Sequence, residues 1–118
     1  MAAETLSDVW TKVRTDDWHW TWTTTSNVSS WSDPRITIRT SRSHTATVLA
    51  TTEAVSPTIT TSGTNFSTGT LAWQIGHAVT TTFDPGLYWL EVEVLVGANR
   101  TTVLSHSLRV RDEVAVAS

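Results

Sequence analysis

The sequence predicts a small all-β sandwich, and three observations predict it. Residues between turn signals alternate apolar and polar with period two, the mark of half-buried strands. Threonine, serine and valine are abundant and lysine occurs once, at Lys12, a composition that favours strands over helices. Turn residues recur at short intervals, which divides the 118 residues into about seven to nine strands. That length suits one domain with one hydrophobic core.

Residues Met1 to Asp8 read as an N-terminal arm, residues 9–111 as the sandwich and residues 112–118 as a C-terminal tail. Leu6, Trp10 and Val13 fit a short helical stripe, and equally Val9, Thr11 and Val13 alternate with Trp10, Lys12 and Arg14. The alternation continues past Asp16-Asp17, which favours a first strand with Trp10 facing outward. Trp18, Trp20 and Trp22 share one face of the next strand. A core face is expected for them, with at least one at the rim, because aromatic rings bring a large apolar area into cores. Residues 26–32 form a polar loop carrying Trp31. In the strand from Pro34 to Thr40, Ile36 and Ile38 point inward while Arg35 and Arg39 point outward.

The stretch from Thr45 to Thr51 is a weaker strand, since its apolar residues run together. Thr58 to Thr61 is a short edge strand after Pro57. Ser62 to Asn65 and Ser67 to Gly69 are turns. Leu71, Trp73 and Ile75 share a face, and His77 to Thr82 is a helical turn or irregular crossover. Asp84, Pro85 and Gly86 make a structural turn that fixes φ at proline and frees it at glycine. The long hairpin from Leu87 to Arg111 follows. Leu90, Val92, Val94 and Val96 line one face of its first strand, with Tyr88 at the head; Trp89, Glu91, Glu93 and Leu95 line the other. In the return strand Thr102, Leu104, His106, Leu108 and Val110 share a face. Gly97 and Asn99 are residue types that reach positive φ in the connecting turn. The sum is an immunoglobulin-like antiparallel β-sandwich without a disulfide.

Composition bounds the function. A net charge of −3 argues against nucleic acid, which calls for a basic face. The chain holds no cysteine, which suits assembly in a reducing cytoplasm or stabilisation by partners. The first residues lack the basic and apolar regions of a signal peptide, and no run reaches membrane-spanning length. Seven tryptophans call for a large core or an aromatic contact surface.

No catalytic, metal or cofactor site emerges. His19, His44, His77 and His106 are dispersed, without metal-ligand spacing. No nucleophile elbow occurs. Ser105 and His106 are neighbours in a strand and point to opposite faces. Asp16 and Asp17 fall in a turn, where carboxylates bond backbone groups. Glu91 and Glu93 share a strand face about 7 Å apart by strand rise, within the range of a glycosidase pair, but on a face expected to be solvated.

The order of pieces carries a resemblance. Arg14-Thr15-Asp16-Asp17-Trp18 precedes the tryptophan strand, and Pro34-Arg35-Ile36-Thr37-Ile38-Arg39 and Gly69-Thr70-Leu71-Ala72-Trp73-Gln74-Ile75 follow it. Then come Phe83-Asp84-Pro85-Gly86-Leu87-Tyr88-Trp89-Leu90 and a last strand ending Val110 with Asp112-Glu113-Val114 behind it. This resembles the small immunoglobulin-like accessory proteins of tailed bacteriophages, including the N-terminal module of baseplate upper proteins. The chain departs from that pattern at Asp16 and at Ser105-His106, where glycine is usual.

The resemblance implies an architectural virion protein, assembled in the host cytoplasm, with other virion proteins as partners. A capsid decoration protein on the major capsid protein comes first, and a tail or baseplate component second. It further implies interface anchors, for which Trp10, Trp31, Trp89, Arg35 and Arg39 are the candidates, since interface energy concentrates in aromatic and arginine side chains. A homo-oligomer fits the same picture. The rival class is a carbohydrate-binding module, with Trp18, Trp20 and Trp22 as platform if their face is not the core.

Overall fold

A computed structural model describes residues 10–24, 28–43, 45–53 and 57–112. Among the described residues, eight strands and one complete short helix follow in chain order: β1 (Thr11–Val13), β2 (Trp18–Thr23), β3 (Trp31–Arg39), β4 (Val48–Thr51), β5 (Thr60–Thr61), β6 (Thr70–Ile75), α1 (His77–Thr80), β7 (Gly86–Val96) and β8 (Asn99–Arg111). They form a five-stranded sheet in the order β1-β8-β7-β3-β4 and a three-stranded sheet in the order β2-β6-β5. In immunoglobulin lettering β3, β7 and β8 are strands C, F and G with β4 as C′, and β2, β6 and β5 are B, E and D. The arms at residues 1–8 and 113–118 lie outside the described residues.

The period-two pattern puts the core where the two sheets meet. Trp18, Trp20, Leu71, Trp73 and Ile75 come from the smaller sheet; Ile36, Ile38, Ala50, Leu90, Val92, Leu108 and Val110 come from the larger. All are buried, and each leucine, isoleucine and valine side chain among them contributes about 1.5–3 kcal/mol by leaving water. Trp22 is only half-buried and sits at the edge of this cluster, as crowding on one strand face requires.

Where an immunoglobulin domain places its disulfide, this chain places aromatic rings. Trp20 stacks on Trp73 at 5.7 Å and meets Trp18 edge-on at 6.2 Å. Trp18 leads to Phe83 (5.1 Å) and Phe83 to Tyr88 (5.2 Å). Tyr88 Oη donates to the Asp84 carbonyl, the tyrosine corner that fastens the start of strand F. Burial and the nearby Asp84 charge push the Tyr88 phenol up from its ordinary pKa. Leu90, two residues on, is fully buried where the second cysteine of the disulfide pair would stand.

Several local readings change. Trp10 and Lys12 face inward: Trp10 is 8% exposed, and Lys12 Nζ lies 4.9 Å from the centre of the Trp20 ring. The strand phase is thus opposite to the one expected, because the inner side of β1 meets rings, which a tryptophan and a lysine stem cover better than valines do. β3 begins at Trp31, three residues before Pro34. A register shift between Ser32 and Arg35 absorbs Asp33 (φ 48°) and Pro34, and a bulge is where a strand tolerates proline. Gly86 opens β7 opposite Val110 with φ 158°, a positive φ that residues with a Cβ rarely adopt, as the turn reading expects.

In the hairpin, Val96 pairs with Asn99, so the loop is Gly97-Ala98. Gly97 takes φ 64°, the glycine-first placement of a type II′ turn, and Asn99 belongs to the strand. A second register shift, between Val92 and Glu93, moves Thr102 out of phase with Leu104 and opposite Glu93. Val103 packs against the core in its place.

Candidate interaction surface

β3, β7 and β8 are long neighbours, and their outward residues form ranks across the larger sheet. Arg39 stands opposite Trp89, which stands opposite Ser107; Thr37, Glu91 and Ser105 form the next rank; Arg35, Glu93 and Thr102 the one after. Three of the five predicted anchors, Arg35, Arg39 and Trp89, therefore share one face. The other two do not. Trp10 is interior, and Trp31 lies at one end of the sandwich, stacked on Trp22 at 6.0 Å and edge-on to Phe66 at 5.9 Å.

The centre of this face is an ion pair. Arg39 Nη1 meets Glu91 Oε1 at 3.1 Å, with side-chain exposures of 17% and 12%. Glu91 is thus not the solvated carboxylate expected of an outer sheet face, because Arg39 covers it. Arg39 Nε is buried without a hydrogen-bond partner among the described residues, so one donor of the guanidinium is unspent. Breaking such a pair from one side leaves the other charge desolvated and unmatched.

Trp89 lies beside this pair. Its Nε1 donates to Ser105 Oγ at 2.7 Å, and the Arg42 guanidinium sits 5.0 Å from its ring centre. Arg35 meets Asp33 and Glu53, each at 3.3 Å. A groove of about 390 Å³ runs among Arg35, Thr37, Arg39, Val48, Thr51 and Glu93. Val48 and Leu87, at 44% and 59% exposure, add apolar area to the same face. The surface therefore combines oriented arginine donors, one aromatic ring and exposed aliphatic groups, which is the chemistry of a protein contact.

Arg42, Glu91 and Leu87 were not among the sequence candidates. Sequence shows that Glu91 shares a face with Glu93 and that Arg39 points outward, but the pairing depends on strand register, which sequence leaves open.

Elsewhere the carboxylates serve the fold. Asp17 Oδ1 accepts from His77 N at 2.7 Å and lies 3.0 Å from His77 Nδ1, and these bonds hold its carboxyl below its ordinary pKa. Among the described residues no three histidine, aspartate or glutamate side chains gather as metal ligands would. Trp18 and Trp20 are buried, so β2 offers no three-ring platform for a sugar. No protein-family model matches the chain, and no curated protein matches it.

Proposed function

We propose that the chain is a non-enzymatic binding module, a structural virion protein of a tailed bacteriophage that decorates the capsid lattice through the outer face of its larger sheet. The observation that supports this reading is the gathering of Arg35, Arg39 and Trp89, from two strands far apart in sequence, on that one face. Decoration acts by mass action: a protein that binds only the assembled lattice stabilises it by the free energy of binding. The resemblance of the turn and strand signatures to phage accessory modules supplies the choice of lattice.

The test is co-sedimentation with particles that lack the protein, comparing wild type with Arg35→Glu and Trp89→Ala at matched stability. Arg35 is half-exposed and Trp89 packs outside the core, so both variants keep the fold. Loss of an aromatic or arginine anchor is expected to weaken attachment about tenfold or more. Undiminished attachment of both variants removes this face from the contact. Attachment to tails but not to capsids moves the assignment to the tail or baseplate.

A further inference from the structure

Among the described residues, Trp10 is the one core residue contributed by the segment ahead of the sandwich strands. It bridges the two sheets: its ring stacks on His106 of β8 at 4.4 Å and 10°, and meets Trp20 of β2 at 6.5 Å. The strand behind it, β1, sits at the sheet edge and pairs only with β8, through a three-residue parallel ladder of Thr11 with Arg109, Lys12 with Val110 and Val13 with Arg111. Lys12 adds a bond from Nζ to the His19 carbonyl (3.0 Å). Trp18 Nε1 donates to Val13 O at 2.8 Å and Arg14 N to Arg111 O at 2.9 Å. The unit is thus one deeply seated ring on a short ladder with a few bonds around it, in a chain that has no cysteine to tie it down.

The connection behind β1 is strained. Thr15 takes φ 77°, a left-handed backbone that is a genuine outlier for a β-branched residue. The residues beyond it are fastened: Thr80 Oγ1 donates to Asp16 O at 2.8 Å, and Asp17 is bonded to His77. Strain is therefore concentrated at Thr15, between a three-residue edge strand and a segment bonded to residues 77–80. Every contact of Trp10 and β1 can be remade by the same segment of another molecule. The left-handed turn at Thr15 is needed only when the segment folds back on its own chain.

From this we infer that residues 10–13 exchange between copies of this chain, with Trp10 of one molecule seated between His106 and Trp20 of its neighbour and Thr15 as the opened hinge. The partner is a second copy, because the slot is already shaped to this tryptophan and this strand. Such exchange of an identical element is a low-cost route to assembly, and strained short hinges favour it. The inference stands apart from the virion reading and needs no particle to test it.

The absence of native cysteine makes the test direct. Thr11→Cys with Arg109→Cys places thiols on facing residues of the β1–β8 ladder. A short bis-maleimide then links them within one chain in the closed form and between two chains in the exchanged form. The protein is refolded over a range of concentrations, separated by size and linked; the single-cysteine variants give the background. The expected result is a dimer fraction whose links run between chains. Thr15→Gly, which fits the left-handed turn, should lower the dimer-to-monomer ratio about tenfold by relieving the closed form. Light scattering of the chain without added cysteines must show the same dimer. No dimer at any concentration, a dimer linked only within its chains, or a dimer indifferent to Thr15→Gly would each overturn the exchange.

Discussion

At Asp33 the backbone turns left-handed in mid-strand, and the side chain and carbonyl together receive one arginine. Arg100 donates Nη1 to Asp33 O at 2.8 Å and Nη2 to Oδ2 at 2.7 Å, so the bulge in β3 is tied to the first residues of β8. The Arg100 hydrogen bond, aided by the charge of Arg35, holds the Asp33 carboxyl below its ordinary pKa. A carboxyl depressed in the folded state adds stability above its unfolded pKa and loses it as pH falls through the folded one. The carboxyl is half-exposed, so solvent screens the pair. Arg100→Ala is expected to cost about 0.5–1 kcal/mol at neutral pH. The difference from wild type should shrink below about pH 4, read from urea midpoints across an acid series. Tyr88→Phe tests the tyrosine corner. It removes one hydrogen bond to a backbone carbonyl and should lower stability by about 1 kcal/mol. A midpoint unchanged by the substitution would mean that the corner contributes nothing. The Arg100 pairing is not visible in sequence: Arg100 and Asp33 are 67 residues apart, and the β3–β7 and β7–β8 registers together bring them side by side.

At the scale of elements, the hairpin shows what periodicity does and does not convey. Alternation placed Leu90, Val92 and Val94 on the buried face of β7 and Leu108 and Val110 on that of β8, because half-burial imposes period two on any strand. It failed at Thr102, since one bulged residue reverses the phase without leaving a compositional mark. It failed at Trp10 because three residues of edge strand are too few to set a phase, and there the size of the ring decided. Turn chemistry was half legible. Both Gly86 and Gly97 take a positive φ where glycine is expected, 158° and 64°, whereas Asn99 belongs to the strand and not to the turn. Gly97→Val should therefore cost about 1–3 kcal/mol. Gly86→Ala should also cost about 1–3 kcal/mol, because φ 158° is a backbone that residues with a Cβ rarely adopt, even though the Cβ itself meets open space. An unchanged melting temperature for either variant would contradict this assignment.

For the molecule as a whole, the sandwich and its core were legible because seven tryptophans and regular alternation leave few other ways to bury the apolar surface. The outer face was not, since which arginine meets which glutamate follows from how strands are ordered in the sheet. The aromatic core predicts a large, localised penalty: Trp73→Ala should destabilise by about 3–5 kcal/mol, measured by chemical unfolding. It also predicts unequal quenching in single-tryptophan variants, with Trp18 and Trp20 shielded and Trp22 reached by acrylamide. Ready quenching of both Trp18 and Trp20 would reject the core described above. The indoles of Trp20 and Trp73 lie 5.7 Å apart and 20° from parallel, with Trp18 edge-on to the first. At that separation their electronic transitions couple, so the folded chain should show an exciton couplet in its circular dichroism and a blue-shifted emission. Both vanish when the sheets part, so the interior reports its own integrity optically, with no label attached.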